Sequence, residues 1–210
     1  MPTSTSDAPA TGLRERNRIR RTRRVEHAAL TLALEHGVDH VTVDMICEAS
    51  DISPRTYFNY FGTKEGALLG QPAPDPDESL VGDFLAAHGP IVEDLMVLMA
   101  RTFLASSPDR EVFAMRRRLF AQEPELHALQ VTRVAHKRQA TVALVLRRLT
   151  ERCPDLDAAA ARDHAQLVMS VAMGAFLVVS LKWAEGSGEH SDIETYIHAA
   201  IDQIRRIVTP

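Results

Sequence analysis

A run of polar and aromatic side chains between Ser53 and Tyr60 has the greatest capacity for chemistry in this sequence. The run contains hydroxyl, guanidinium, amide and phenol groups within eight residues. Such groups recognise the edges of nucleic-acid bases, because arginine matches guanine O6 and N7 and asparagine matches adenine. We therefore expect a base-reading helix here, with candidate contacts from Ser53, Arg55, Thr56, Tyr57, Asn59 and Tyr60.

Each residue type in this run fits a particular partner. Arg55 can pair with guanine and Asn59 with an adenine edge, while Thr56 and Tyr57 offer a methyl group or a ring to thymine. The Ser53 hydroxyl and the helix N-terminus suit a phosphate. The alternative is a polar surface helix with aromatic core anchors. Under either interpretation one or both of Phe58 and Phe61 must fill a core.

A basic segment precedes this run. Seven arginines and one acid, Glu15, lie between Arg14 and Arg24, which gives a local charge of +6 in a chain whose net charge is −4. Such an arm either continues a helix along a phosphate backbone, reaches into a minor groove, or remains a solvated tail. We expect DNA contacts from Arg23 and Arg24 in particular.

Other kinds of site find little support. Cys47 and Cys153 are not in a metal-ligand or redox spacing, and Gly37 separates His36 from His40. The sequence contains no nucleophile elbow and no glycine-rich phosphate loop. We therefore predict two reduced thiols, no metal, no cofactor and no enzymatic activity.

The sequence also predicts a cytoplasmic protein that is not embedded in a membrane. No apolar leader is visible at the N-terminus. The longest uncharged apolar run, 167–181, has 15 residues, fewer than the roughly 20 that span a bilayer. We interpret it as part of a core helix.

The elements that position these residues are predicted to be helices throughout, so the fold class is all-α. Apolar residues recur at helical spacing between Gly, Pro and Asp/Ser punctuation. Thr42, Ser53 and Thr63 are predicted N-caps, and Pro54 occupies the first position of its helix. The predicted helices cover 13–36, 43–49, two short segments from Pro54 and Lys64, 79–88, 90–106, 109–122, 124–152, 156–185 and 191–207.

Three prolines between Pro72 and Pro76 should end the helix that starts at Lys64 near Gly70. We therefore divide the chain into a disordered tail at 1–12, a DNA-binding head at 13–70 and a helical body at 71–210. Helices as short as 43–49 are not stable alone and need the first helix behind them. Three helices around one small core form a helix-turn-helix head.

The segment from Thr42 to Leu68, with Tyr60-Phe61-Gly62-Thr63-Lys64-Glu65, resembles the signature of the TetR (tetracycline-repressor) family of transcriptional regulators. The resemblance implies that Thr42 and Lys64 meet phosphates and that Pro54 lies at the groove-facing start of the recognition helix. Two positions depart from the pattern. Asp51 replaces the usual turn glycine, and asparagine or aspartate tolerates the left-handed conformation better than most residues. Asp44 replaces a basic residue, so that contact is lost.

The body is predicted to form a homodimer. Helix 156–185 is apolar nearly all round and helix 191–207 has one apolar face, so both should pair with their copies in a four-helix bundle. Ser170 and Gly174 permit a close approach, although packing within one chain is the alternative. A two-fold dimer would read a palindromic operator in double-stranded DNA.

The resemblance also implies a pocket for a lipophilic small molecule that releases a repressor from its operator. The alternative is a protein of the same fold that acts through a protein partner without such an inducer. Soft and aromatic side chains of the body could line the pocket, with one arginine as a polar anchor. The candidates are Met96, Met99, Phe103, Phe120, Arg118, Met169, Met173 and Phe176.

Overall fold

The structure is a computed structural model that describes residues 9–72, 74–106, 108–186 and 193–208. The predicted all-α fold is confirmed, because no strand occurs within these ranges. A 3-10 turn at Val38–His40 follows the first helix. The helices are α1 (Pro9–His36), α2 (Val43–Ser50), α3 (Pro54–Phe61), α4 (Lys64–Leu69), α5 (Glu78–Ala86), α6 (Ile91–Ala105), α7 (Arg110–Gln122), α8 (Pro124–Arg152), α9 (Ala158–Glu185) and α10 (Ile193–Val208).

The first helix differs from its predicted extent. It begins at Pro9, so residues 9–12, which we assigned to a disordered tail, are helical. Residues 1–8 of that predicted tail lie outside the described residues. The arginine segment is therefore the first part of α1, which contradicts its interpretation as an unstructured tail.

The described chain forms two compact units. The first contains the described residues of Met1–Gln71 together with Met115–His127, and the second contains those of Pro72–Ala114 and Ala128–Pro210. The chain leaves the first unit at Gln71, where Gly70 ends α4 with a φ of 74°. Most of α7 thus belongs with the helices of the head, an association that no pattern in the sequence predicts.

The first unit has a small core behind its short helices. Val25 and Leu30 of α1, Ile46 of α2, Tyr57 of α3 and Leu68 of α4 are all fully buried. Because α2, α3 and α4 have eight, eight and six residues, their own hydrogen bonds cannot keep them helical, and this shared burial stabilises them.

The second unit is built around α6 and α9. Leu95, Met96 and Met169 are buried between these helices and pack with Val145 of α8. Ile197 of α10 also lies in this core. The outer side of α10 is polar and includes the exposed residues His198, Asp202 and Gln203. This arrangement does not favour the predicted pairing of α10 with its copy, because its apolar face is already covered within the chain.

One face of α9 is not covered by the chain. Leu167, Val171 and Val178 are 62%, 49% and 52% exposed, and Gly174 between them has open space at its Cα. By length and composition, this one helix of the described residues could cross a membrane, with a mean hydropathy of 1.9 over 18 residues. Core helices of water-soluble proteins share that composition, so it is weak evidence for a span. The partly exposed helix is consistent with a partner on its outer face.

Candidate nucleic-acid interface

The turn between α2 and α3 sets the start of the candidate reading helix. Asp51 adopts the predicted left-handed conformation, with φ 50° and ψ 54°. Its backbone N–H donates to Cys47 and Glu48 oxygens and so satisfies the end of α2. Arg24 Nη2 donates to the Asp51 carbonyl at 3.1 Å, which ties the turn to α1. A residue predicted to touch DNA therefore also braces the turn.

The three predicted caps are confirmed. Thr42 Oγ1 accepts from Met45 N at 3.2 Å, Ser53 Oγ from Thr56 N at 3.2 Å and Thr63 Oγ1 from Gly66 N at 3.1 Å. Each oxygen acts as an acceptor in its cap. The hydroxyl proton of Thr42 can still donate to a phosphate, while Ser53 Oγ also shares a 2.9 Å hydrogen bond with Thr56 Oγ1.

Tyr57 does not occupy the position that we predicted for it. Its ring has no exposed surface, and it packs against Phe61 at 5.4 Å between ring centroids. Its hydroxyl donates to the Thr63 carbonyl at 3.0 Å. This placement contradicts the predicted thymine contact, because a fully buried ring cannot reach a base.

Phe58 takes the outward position instead. It is 53% exposed, whereas Phe61 is half-buried, so the core-filling role that we expected of one or both residues belongs to Phe61 and Tyr57. Phe58 is therefore an apolar candidate for a base contact that sequence reasoning missed. The missed signal was the angle of 100° between successive residues, which places two adjacent aromatic side chains on different faces of a helix.

The remaining side chains of α3 are accessible. Arg55 and Asn59, four residues apart, are exposed and share one face. Thr56 and Tyr60 are half-exposed, and Pro54 is exposed at the first position of the helix. The structure thus places the two side chains predicted to pair with guanine and adenine on one side of α3.

Lys64 begins α4, and its ammonium group contacts a backbone carbonyl of the first unit. Its Nζ donates to the Val38 carbonyl at 2.7 Å. An ammonium carries three N–H groups, so one bond to a carbonyl leaves donors for a phosphate. The same contact holds α4 against the turn that follows α1.

The arginine segment is helical and largely solvated. Arg16, Arg20, Arg21 and Arg24 are exposed, and Arg23 is half-buried. Arg16 Nε donates to the Gly12 carbonyl one turn earlier, at 3.1 Å. A helix with this charge favours contact along a phosphate backbone, the first of the three interpretations of the arm.

The eight predicted pocket residues are divided between the two units. Met96 and Met169 are buried in the second unit, and Met99, Phe103 and Phe176 pack around its core. Met173 is 40% exposed on the outer side of α9, which contradicts an interior role. Arg118 and Phe120 belong to the first unit, where Arg118 is exposed and Phe120 stacks on His127 at 5.8 Å. These three residues are therefore not part of the second unit's core.

An aromatic cluster marks the interior of the second unit. The Phe103 ring lies 5.6 Å from Phe113, 5.7 Å from Phe176 and 5.3 Å from Trp183, each in an edge-on geometry. The Arg110 guanidinium lies over the Trp183 ring, with Cζ 5.1 Å from its centroid. Phe113 and Trp183 thus form one cluster with the predicted pocket residues Phe103 and Phe176.

The cysteines are separate from any candidate metal site. Cys47 is buried in the head and Cys153 is exposed. Burial raises the pKa of the Cys47 thiol, and the nearby Asp44 carboxylate raises it further. Within the described residues, no group of three or more His, Cys, Asp or Glu side chains is arranged to hold a metal ion.

Comparison with known proteins matches the first unit. The family model described as "Bacterial regulatory proteins, tetR family" matches residues 27–69. The HTH-type transcriptional regulator TcmR of Streptomyces glaucescens is 40% identical over 95 residues, which are 41% of this chain and 39% of that protein. The chain thus spans about two fifths of that relative's length in the match.

A solved structure, Salmonella enterica GusR, aligns with 88% of this chain and 95% of its own, at 16% identity and a TM-score of 0.44. This likeness is too low to extend the comparison to the second unit. The assignment therefore depends on the helix-turn-helix segment and its matches. On these grounds, residues 27–69 of the chain are similar to the DNA-binding segment of the tetR family of bacterial regulatory proteins.

Proposed function

We propose that this protein is a cytoplasmic transcriptional regulator that binds a palindromic DNA operator as a homodimer. The observation that carries the proposal is the surface of α3, where Arg55 and Asn59 are exposed side by side. Two hydroxyl caps and the Asp51 turn hold that surface in place. An exposed, rigid helix with base-pairing side chains fits the major groove.

The uncovered face of α9 supports dimerisation. Leu167, Val171, Gly174 and Val178 recur at the spacing of one helical stripe, and the chain itself leaves them exposed. Large apolar stripes of this kind mark interfaces. A second copy is the fitting occupant, because two recognition helices related by a two-fold axis match the two halves of a palindrome. We therefore assign the interface to α9 rather than to α9 with α10.

The core of the second unit supports a lipophilic effector. Met99, Phe103 and Phe176 are only partly buried there, and Phe113 and Trp183 adjoin them. Rings and thioethers accommodate apolar ligands of varied shape. We propose that such a ligand favours a state with lower operator affinity, so that the protein acts as a ligand-released repressor.

A protein partner is the second candidate for the effector. Val131 and Val134 of α8 are 55% and 39% exposed and share one face of the helix, and an apolar patch on a helix is a common docking surface. Under this alternative the protein regulates transcription without a small-molecule inducer.

Selection of bound sequences from random duplex DNA tests the central proposal. We expect one inverted repeat, with half-sites about one helical turn apart, roughly 34–36 Å. Sedimentation of the complex should give two chains per operator. Recovery of an asymmetric motif, or of no motif at all, would overturn the dimeric reading.

A second experiment separates the two effector candidates. The operator complex is titrated with a panel of apolar small molecules while fluorescence anisotropy follows the DNA. Release by a compound, with loss of its effect in Phe103→Ala, supports the ligand. If no compound changes the affinity but Val131→Glu abolishes regulation in cells with DNA binding intact, the protein partner is supported instead.

A further inference from the structure

Arg116 of α7 joins the helices of the head, although it lies far from them in sequence. Its Nη2 donates to Glu26 Oε2 of α1 at 2.9 Å, and its Nε donates to the Leu68 carbonyl of α4 at 2.9 Å. The Arg116 and Glu26 side chains are only 16% and 9% exposed. Water therefore screens this ion pair weakly, and its planar fork fixes direction as well as charge.

The network continues from Glu26 to the reading helix. Glu26 Oε1 accepts from the backbone N–H of Gln71 at 3.1 Å. The side chain of Gln71 then donates from Nε2 to the Tyr60 carbonyl at 3.2 Å. Tyr60 is the second-last residue of α3, where helix carbonyls lack partners within the helix. A single path of hydrogen bonds thus runs from α7 to the end of α3.

Gly70 shows that the backbone is shaped around this arginine. Its φ of 74° lies in the left-handed region. A Cβ at this position would be 2.5 Å from Arg116 Nη2 and 2.6 Å from Arg116 Cζ. A side chain at this position would therefore displace the guanidinium. The bend after α4 and the position of Arg116 thus both depend on the glycine.

We propose that Arg116 and Glu26 are positioning residues for DNA reading, which set the orientation of α3 through residues 68–71 without touching DNA. The proposal rests on the proposed operator-binding function. Helices of six and eight residues gain little orientation from their own hydrogen bonds, so an external brace at their C-terminal ends decides where Arg55 and Asn59 point. Phosphate contacts made elsewhere in the head depend less on that angle.

Gln71→Ala is the sharpest variant in the full-length protein. The Gln71 side chain is exposed, so its loss removes the bond to Tyr60 and leaves the fold intact. Gln122→Ala, an exposed glutamine in α7, is the matched control. Glu26→Gln removes the charge that Arg116 binds but keeps an acceptor for Gln71, and Arg116→Lys keeps the charge but loses the fork.

The measurements are dissociation constants for the selected operator and for a random-sequence duplex, by fluorescence anisotropy well below each unfolding midpoint. We expect Gln71→Ala to weaken operator binding by about three- to tenfold, the range that one hydrogen bond contributes, with random-DNA binding unchanged. Glu26→Gln should weaken operator binding more than Gln71→Ala does, and Arg116→Lys should have an effect between these two. Gln122→Ala should bind the operator as tightly as the wild type.

The ratio of the two constants separates positioning from mere stabilisation. If Gln71→Ala and Glu26→Gln lower the unfolding midpoint but keep the wild-type ratio, the pair is structural and the inference is wrong. Should Glu26→Gln fail to fold, Gln71→Ala decides alone. A wild-type protein that binds operator and random DNA equally would instead refute the proposed function itself.

Discussion

Arg55 is the residue whose exposure and chemistry point most directly at a base. It is exposed on α3, where its guanidinium can reach a guanine. We predict that Arg55→Ala lowers operator affinity by about 1–3 kcal/mol and relaxes sequence preference at one position per half-site. Thermal unfolding should barely change, because an exposed side chain contributes little to stability.

Competition binding with single-base operator variants measures the affinity and the base preference and so tests this prediction. Arg162→Ala, which removes an exposed arginine of α9, is the control for loss of one positive charge. A large drop in unfolding midpoint with unchanged base preference would show that Arg55 has a structural role.

Tyr57, unlike Arg55, is buried and should affect stability rather than base preference. Its hydroxyl bonds to the Thr63 carbonyl inside the head, so Tyr57→Phe should lower the free energy of unfolding by about 0.5–1.5 kcal/mol. Operator sequence preference should stay as in the wild type, because the ring is fully buried. Urea denaturation and repeated selection of bound sequences measure the two outcomes. A changed preference would restore Tyr57 as a base reader.

The same residue makes stability depend on alkaline pH. Burial raises the pKa of Tyr57 above its usual value, and the charges of Cys47 and Glu65 raise it further. Above about pH 10 the unfolded chain therefore loses this proton while the folded chain keeps it. The contribution of Tyr57 to stability is complete below that pH and falls by about 1.4 kcal/mol per pH unit above it.

Denaturation of wild type and Tyr57→Phe between pH 8 and pH 11 isolates this effect as a difference. The advantage of the wild type over the variant should shrink as the pH rises. A constant difference across the range would mean that Tyr57 titrates alike in both states.

At the scale of elements, the α2–α3 turn combines local and tertiary determinants. Asp51 occupies the left-handed region, which costs a non-glycine residue roughly 1–2 kcal/mol. Asp51→Gly should therefore hold or raise the free energy of unfolding, although it removes the exposed carboxylate near Arg24. Asp51→Val should lower it by about 1–2 kcal/mol or more, because a β-branched residue fits this region least.

Thermal denaturation of both variants checks the turn prediction. Glu48→Val, an exposed substitution in the neighbouring helix, controls for the valine side chain itself. Equal stability of Asp51→Val and wild type would contradict the left-handed geometry.

The helices differ in how far local signals determine them. Thr42, Ser53 and Thr63 cap their helices as predicted, because a cap is a contact between residues three apart. Which face of α3 turns inward could not be predicted, since Tyr57, Phe58 and Phe61 all satisfy an apolar pattern. The contacts of α3 with α2 and α4 decide that Tyr57 is buried and Phe58 is not.

For the whole molecule, the exposed stripe of α9 predicts the mode of assembly. Val171→Glu places a charge in the proposed interface, where burial without a partner costs about 3–5 kcal/mol. The dissociation constant of the dimer should rise by a hundredfold or more, and operator affinity should fall as the dimer is lost. Gln203→Glu on the outer side of α10 should leave the dimer intact, because we place that surface outside the interface.

Analytical ultracentrifugation over a concentration series gives the dimer dissociation constant of each variant. Circular dichroism verifies that the variants fold. A wild-type monomer, or a dimer lost in Gln203→Glu but kept in Val171→Glu, would contradict the assignment to α9.

The helical class, the three caps and the break after Gly70 follow from the sequence alone. These features arise between residues a few positions apart, so a short segment contains all their causes. Contacts between distant segments determine that Tyr57 turns inward, that the apolar face of α10 is buried in the core of its own unit, and that Arg116 joins the head. Glu26 and Arg116 are 90 residues apart, and no local pattern specifies which distant charge fills a buried position.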